Sequence, residues 1–168
     1  MEDKNNLGNF RVFSDLSEEY LEKFHKTVEI KNFKAGAKIF NEGDVGDSIY
    51  LLLDGEVEIN QALTMQLSKG DYDTREKSII RLRSDISPCF GEMSLFGNDN
   101  KRTAGVRAIS DCKMAVIMKD DLFSICADNP DLGYTVMLNV AAIVTDNLVK
   151  ANQNVLKLTT AFSLILEK

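Results

Sequence analysis

The fold of this chain is most constrained by a change of texture near residue 119. Residues 28–118 are a succession of short β-prone runs broken by turn residues, and the residues after them read as helix. Val28, Ile30 and Phe33 are stopped by Gly36, and Ile39-Phe40 leads into the turn-rich Asn41-Glu-Gly-Asp-Val-Gly-Asp47. Two β-prone runs then flank Asp54-Gly55. That pair predicts a type I′ hairpin, whose two central residues both need positive φ. Beyond it Val57 and Ile59 alternate with Glu56 and Glu58, which predicts a half-buried strand with the glutamates outward. Lys69 to Lys77 is polar and predicts a solvated hairpin tip; its acidic residues lack calcium-loop spacing. Ile79, Ile80 and Leu82 predict a further strand, and residues 103–118 two more, broken at Ser110-Asp111. Many short strands with frequent turns predict a small barrel or sandwich.

Helices flank this block. Ser17 is a candidate N-cap, followed by two glutamates, and Leu16, Tyr20, Leu21 and Phe24 share one face. Residues 120–128 predict a second helix. Asn129-Pro130 ends it and opens the next, with Asn as N-cap and Pro at the first helical position. No proline follows, so this last helix can run about 36 residues, or roughly 54 Å at ~1.5 Å rise. Along it Tyr134, Met137, Ala141, Val144, Leu148, Ala151, Val155, Leu158, Phe162 and Ile165 follow a 3,4 alternation. A second stripe of Val136, Val140 and Ile143 marks only the first half. The first half is therefore expected to pack on its own domain and a partner at once. The second half carries the narrow seam of a coiled coil, and a homodimer through residues 134–165 is expected.

Composition excludes several classes. The 168 residues suffice for one domain with a sizeable core, expected over residues 1–150, with residues 151–168 as an extension of the helix. A net charge of −6 opposes nucleic-acid binding through overall charge, though a local anion site remains open. One histidine rules out sites that need two, and His25 reads as an ordinary residue of an amphipathic helix. Cys89, Cys112 and Cys126 form no CxxC pair and suggest core thiols in a reducing compartment. The first residues contain no apolar leader, and no run approaches 18 apolar residues. A cytoplasmic protein without a membrane or nucleic-acid partner is the expectation.

The chemistry-bearing stretch runs from Phe90 to Ala108. Phe90-Gly-Glu92 is followed ten residues later by Arg102-Thr-Ala104 and then Val106-Arg-Ala108. Upstream stand Glu42-Gly-Asp, Gly46-Asp-Ser48, Tyr50 and Gly55 in fixed spacing. Together these resemble the cyclic nucleotide-binding domain family, which includes bacterial catabolite activators and regulatory subunits of cyclic-AMP-dependent kinase. The likeness covers residues ~10 to ~150, and the Glu92–Arg102 spacing resembles the bacterial form. It implies a mainly β fold: an N-terminal helix, an eight-stranded jelly-roll barrel over residues 28–118, and C-terminal helices from residue 120.

The resemblance also implies roles. A cyclic nucleotide carries one phosphodiester charge and one free ribose hydroxyl, and a forked arginine suits the former. Arg102 would bind the phosphate, and Thr103 and Ala104 would add donors beside it. Met93 and Ser94 would open a helical turn facing the phosphate. Glu92 would accept from the 2′-hydroxyl and pair with the guanidinium, while Gly91 would let backbone approach the sugar. Asn147 falls at the position that contacts the base, next to the seam. Arg107 is read as structural. Cyclic AMP is favoured over cyclic GMP as ligand, and no cofactor is expected.

Two departures stand out: Ser84-Asp-Ile-Ser-Pro-Cys-Phe90 lacks the family's usual glycine, and Thr103 follows the arginine. The initiating Met and the end at Lys168 fit a stand-alone sensor without the activators' DNA-reading domain, signalling to an unnamed partner. The competing reading is a dimeric scaffold with a silent or differently liganded pocket. An enzyme is disfavoured, because the sequence offers no phosphate loop and no nucleophile–base set around one histidine.

Overall fold

The computed structural model describes residues 7–62, 66–68, 71–72, 76–97 and 99–166. Its strands are β1 Glu29–Phe33, β2 Lys38–Phe40, β3 Ser48–Asp54, β4 Glu56–Ala62, β5 Gln66–Ser68, β6 Asp71–Tyr72, β7 Glu76–Arg83, β8 Cys89–Phe90, β9 Gly105–Ala108 and β10 Cys112–Met118. Eight of them form two antiparallel four-stranded sheets, in the orders β1-β10-β3-β8 and β2-β9-β4-β7, and β5 and β6 pair as a ribbon. Apart from β4 and β7, successive strands of these sheets switch from one sheet to the other, the jelly-roll arrangement predicted from the sequence.

The Asp54-Gly55 hairpin is corrected by this topology. β3 pairs with β10 and β8, whereas β4 pairs with β7 and β9. Only Gly55 takes a positive φ, of 95°, so the type I′ requirement is not met. The left-handed glycine instead turns the chain from the first sheet into the second. Glu58 is likewise not a wet residue. It is 6% exposed, between Arg107 Nη2 at 2.9 Å and Arg81 Nε at 3.4 Å, so β4 hides a carboxylate beneath two guanidiniums. Arg107 is structural, as expected.

β3 and β10 place the core. Ile49 and Leu51 of β3 join Ala115 and Ile117 of β10 on one face, and Tyr50 and Leu52 join Met114 and Val116 on the other. Both faces are buried, so these strands read as continuous apolar runs. The first face packs against the helices and the second lies between the sheets. The molecule is three layers: helices, first sheet, second sheet.

The helical layer comprises α1 Glu18–His25, α3 Lys119–Asp128 and α4 Pro130–Leu166, with a 3₁₀ turn at Arg11–Phe13. Leu21 and Phe24 bury the predicted face of α1, and Phe24 meets Phe13 with ring centroids 4.6 Å apart. Asn129 joins α3 to α4: its carbonyl accepts from Gly133 N–H at 2.8 Å in the first turn of α4, while its side-chain amide donates back to Ile125 O at 2.9 Å. The N-terminal segment holds α4. The Asn139 amide donates to Ser14 O at 2.8 Å and Val12 O at 3.3 Å, and Arg11 pairs with Asp146. Leu132, Val136 and Val140 are buried beneath.

Past Asp146 the helix leaves the domain, and every residue from Asn147 to Leu166 is exposed. By length and composition α4 could cross a membrane, although it contains no unbroken run of 18 apolar residues. Threonines and asparagines interrupt the run, but few charges lower its average. Its first turns are packed on this domain, as those of a core helix are. Of the 69–77 tip, residues 69, 70 and 73–75 lie outside the described residues, and Asp71–Tyr72 pairs back on Gln66–Ser68. Where the family's usual glycine is missing, Ser87 takes the left-handed conformation itself, at φ 44°.

Candidate functional site

Two segments that are distant in sequence fix Arg102. Its backbone N–H donates to Asp44 O, and its carbonyl accepts from Gly43 N–H, both at 2.8 Å; Gly46 N–H donates to Asn100 O at 2.7 Å. The turn-rich loop after β2 is thereby laced to the segment before β9. Pinned in this way, the Arg102 side chain turns inward and is 4% exposed.

The guanidinium is held by neutral groups. Nη1 donates to Gly91 O at 2.9 Å and to Ser94 Oγ at 2.8 Å, and Nη2 donates to Ser48 Oγ at 3.1 Å. Its carbon lies 4.2 Å from the Phe40 ring centroid and 5.6 Å from that of Tyr50. Tyr50 in turn stacks on Phe90 at 5.4 Å. Nε has no hydrogen-bond partner, and among the described residues no carboxylate forms an ion pair with the group. Burial pushes its pKa below the ordinary arginine value, against the attraction of Tyr50, Asp47, Asp44 and Glu92. A buried cation without a counter-charge is costly. Bringing an anion to this group relieves that cost.

Gly91 is required where it stands. It has φ of 86°, and a Cβ there would lie 2.7 Å from Arg102 Nη1 and 3.2 Å from Ser48 O. Its glycine therefore serves the arginine's approach as well as the turn into the short helix α2, Met93–Phe96. Ser94 is buried and donates to Gly91 O at 2.9 Å. Met93 is exposed, with its sulfur 3.8 Å from Thr103 Oγ1. Thr103 is exposed and Ala104 half-buried on the outer side of Arg102.

Glu92 is 7% exposed. Burial holds its carboxyl above the usual carboxylate range, against its own backbone N–H and the attraction of Arg102. The direct ion pair expected between Glu92 and Arg102 does not form, since the guanidinium's donors go to the serines and Gly91. An elevated folded-state pKa means that ionised Glu92 costs stability, and the cost grows as pH rises through that value. Glu92→Gln is expected to raise the thermal midpoint of the free protein at neutral pH. The gain should shrink as pH falls through the carboxylate range. A pH series of melting curves checks this, and a gain equal at every pH would contradict it.

The structure thus gathers Gly91, Glu92, Ser94 and Arg102, with Met93, Thr103 and Ala104 at the rim. Asn147 stays apart: it is exposed on α4 and hydrogen-bonds to none of them. Sequence reasoning missed Phe40, Ser48 and Tyr50 as the guanidinium's cradle, although Ser48 and Tyr50 stood in the spaced upstream motif. The three cysteines are free. Burial, with Glu92 nearby, pushes the Cys89 thiol well up, and burial raises that of Cys126 to about 11, so neither is a ready nucleophile.

Comparison with known proteins agrees with this geometry. Residues 30–129 match the model of the cyclic nucleotide-binding domain. A cGMP-dependent protein kinase, isozyme 1, of Drosophila melanogaster is 33% identical over 115 residues, 63% of this chain and 13% of the kinase. A CRP-like cAMP-activated global transcriptional regulator of Mycobacterium tuberculosis H37Rv is 25% identical over 126 residues, 75% of this chain and 51% of the regulator. The chain thus spans about half or less of these curated relatives. A cyclic nucleotide-binding domain from Methylobacillus flagellatus KT shares the fold with a TM-score of 0.74, at 22% identity, over 92% of this chain and 81% of that one. With the motif, the jelly roll and the family match in agreement over 100 consecutive residues, this chain belongs to the cyclic nucleotide-binding domain family.

Proposed function

We propose that this chain is a non-catalytic cyclic-nucleotide sensor that prefers cyclic AMP and signals through α4. The observation that carries the reading is Arg102, a buried guanidinium whose backbone is pinned by the loop after β2 and which has no carboxylate partner among the described residues. A singly charged phosphodiester supplies the missing counter-charge and accepts in forked geometry. Glu92 takes the ribose 2′-hydroxyl. Ser94, Thr103 and Ala104 surround the phosphate, and Gly91 and Met93 shape the turn beside it. Three free cysteines fit a reducing compartment.

Asn147 reaches the base only if α4 moves, so binding and helix position are one equilibrium in this reading. The nucleotide biases it by its differential affinity for the two helix positions. Residues up to about 150 form the binding domain, and the heptad seam over residues 134–165 pairs two copies. Along that seam Leu148, Val155, Leu158, Phe162 and Ile165 are 59–70% exposed in the single chain. The alternation of their positions is that of a coiled coil.

The test is calorimetric titration of the purified protein with cyclic AMP and cyclic GMP. Micromolar binding, about −8 kcal/mol, with cyclic AMP tighter, is the expected result. No heat with either nucleotide from folded protein would move the reading to a scaffold. Gly91→Ala is a further check. The added Cβ strains a left-handed residue by about 1–2 kcal/mol and presses on the guanidinium, so at least tenfold weaker binding is expected. Unchanged affinity would separate Gly91 from the site.

A further inference from the structure

The proposed dimer seam leaves a second stripe of α4 uncovered. Leu138, Ala142, Thr145, Val149, Asn152, Leu156, Thr159, Ser163 and Leu166 also follow a strict 4,3 alternation, and none is charged. The large apolar members stand open: Leu138 is 51% exposed, Val149 47%, Leu156 68% and Leu166 70%. The stripe lies on the flank of the first seam away from the face that Val136 and Val140 bury on the domain. Between residues 134 and 166 the only charges are Asp146, Lys150 and Lys157, which fall on neither seam.

The hydroxyl members of the stripe are already satisfied within the helix. Thr145 Oγ1 donates to Ala141 O at 2.8 Å, Thr159 Oγ1 to Val155 O at 2.9 Å and Ser163 Oγ to Thr159 O at 3.1 Å. Hydroxyls turned back on their own carbonyls present methyl and methylene groups outward and need no water. Asn152 is the one member of the stripe with an amide to satisfy, and a single Asn in such a seam fixes register between like helices. A two-stranded coiled coil needs one narrow seam and usually carries charges at the flanking positions; here the flank is a second seam without them.

We infer that the second stripe packs two dimers into a tetramer, through the α4 helices of further copies of this chain. The inference rests on the dimer reading above. Identical helices that lack charges on both seams approach without repulsion, and closed symmetric assembly of like chains is the ordinary outcome. The wet line of Asp146, Lys150 and Lys157 then faces solvent.

The experiment is light scattering after size exclusion of the full chain, with a sedimentation profile beside it. The expected mass is that of four 18.8 kDa chains. Val149→Glu/Leu156→Glu, exposed positions outside the first seam, should drop it to two. Lys150→Glu, on the wet line, should leave it at four. A wild-type dimer overturns the inference and leaves the dimer reading standing, whereas a monomer overturns both. A tetramer indifferent to the double substitution overturns the second seam. Pelleting of the wild-type protein with phosphatidylcholine–phosphatidylglycerol vesicles, abolished by the same double substitution, would assign the stripe to lipid and also overturn the inference. Circular dichroism of each variant shows that the helix persists.

Discussion

Arg102→Ala is expected to weaken nucleotide binding sharply while leaving the free protein folded. The loss should be about 2–5 kcal/mol, because the phosphodiester would enter a closed site without its counter-charge. That is roughly 30- to 5,000-fold in affinity. Stability of the free protein should move little, because two effects oppose. The variant gives up the bonds to Ser48, Ser94 and Gly91 and the contact with the Phe40 ring. It also removes a buried charge that has no ion-pair partner and whose Nε has no acceptor. Ser94 keeps its own bond to Gly91 O. In a thermal-shift assay, ligand at a hundred times its dissociation constant adds about 2.7 kcal/mol. For a chain of this size that is roughly 5–11 °C. The wild type should show that shift, and the variant at most about a third of it at the same ligand concentration, from a nearly unchanged starting midpoint. A variant that shifts as far as the wild type, or one that melts far lower without ligand, would mean that Arg102 is a structural cation.

What could be read in advance follows the range of the interactions involved. Residues 90–108 carry the family resemblance locally, so Gly91, Glu92, Ser94 and Arg102 were legible through it, and they do come together. The cradle around Arg102 was not, because Phe40, Ser48 and Tyr50 arrive from strands 52 to 62 residues earlier. Nothing in their local pattern distinguishes a strand face that meets an arginine from one that meets a leucine. The strand-and-turn punctuation predicted a small barrel or sandwich, and the resemblance narrowed it to the jelly roll. It failed at Asp54-Gly55, where a left-handed glycine can close a hairpin or turn a strand into the opposite sheet, and only partner strands decide. Glu58 failed for a related reason: period-two patterning marks a polar residue as outward and takes no account of two arginines closing over it. The long helix was legible throughout because its periodicity is local, and its first half packs on the domain as the double stripe required.

The three-layer arrangement makes Phe24→Ala the complement of Arg102→Ala. Phe24 is fully buried, against Phe13, in the cluster between the helices and the first sheet. Removing a buried aromatic ring costs about 3–5 kcal/mol, so the midpoint should fall by roughly 6–20 °C. A domain holding 5–15 kcal/mol survives this in the cold. The pocket residues Tyr50 and Phe90 belong to the other cluster, between the sheets, so affinity measured on the folded variant at low temperature should stay within about threefold of wild type. One substitution then removes binding and spares stability, and the other does the reverse. β3 is the element through which that separation could fail. Tyr50 faces the pocket, and Ile49 and Leu51 on either side of it face the helices, so any shift of the strand is felt in both layers. A folded Phe24→Ala protein that binds tenfold or more weakly would show that the helical layer sets the pocket's geometry through β3. The N-terminal segment that grips α4 at Asn139 and Asp146 would then be part of the sensing equilibrium rather than its scaffold.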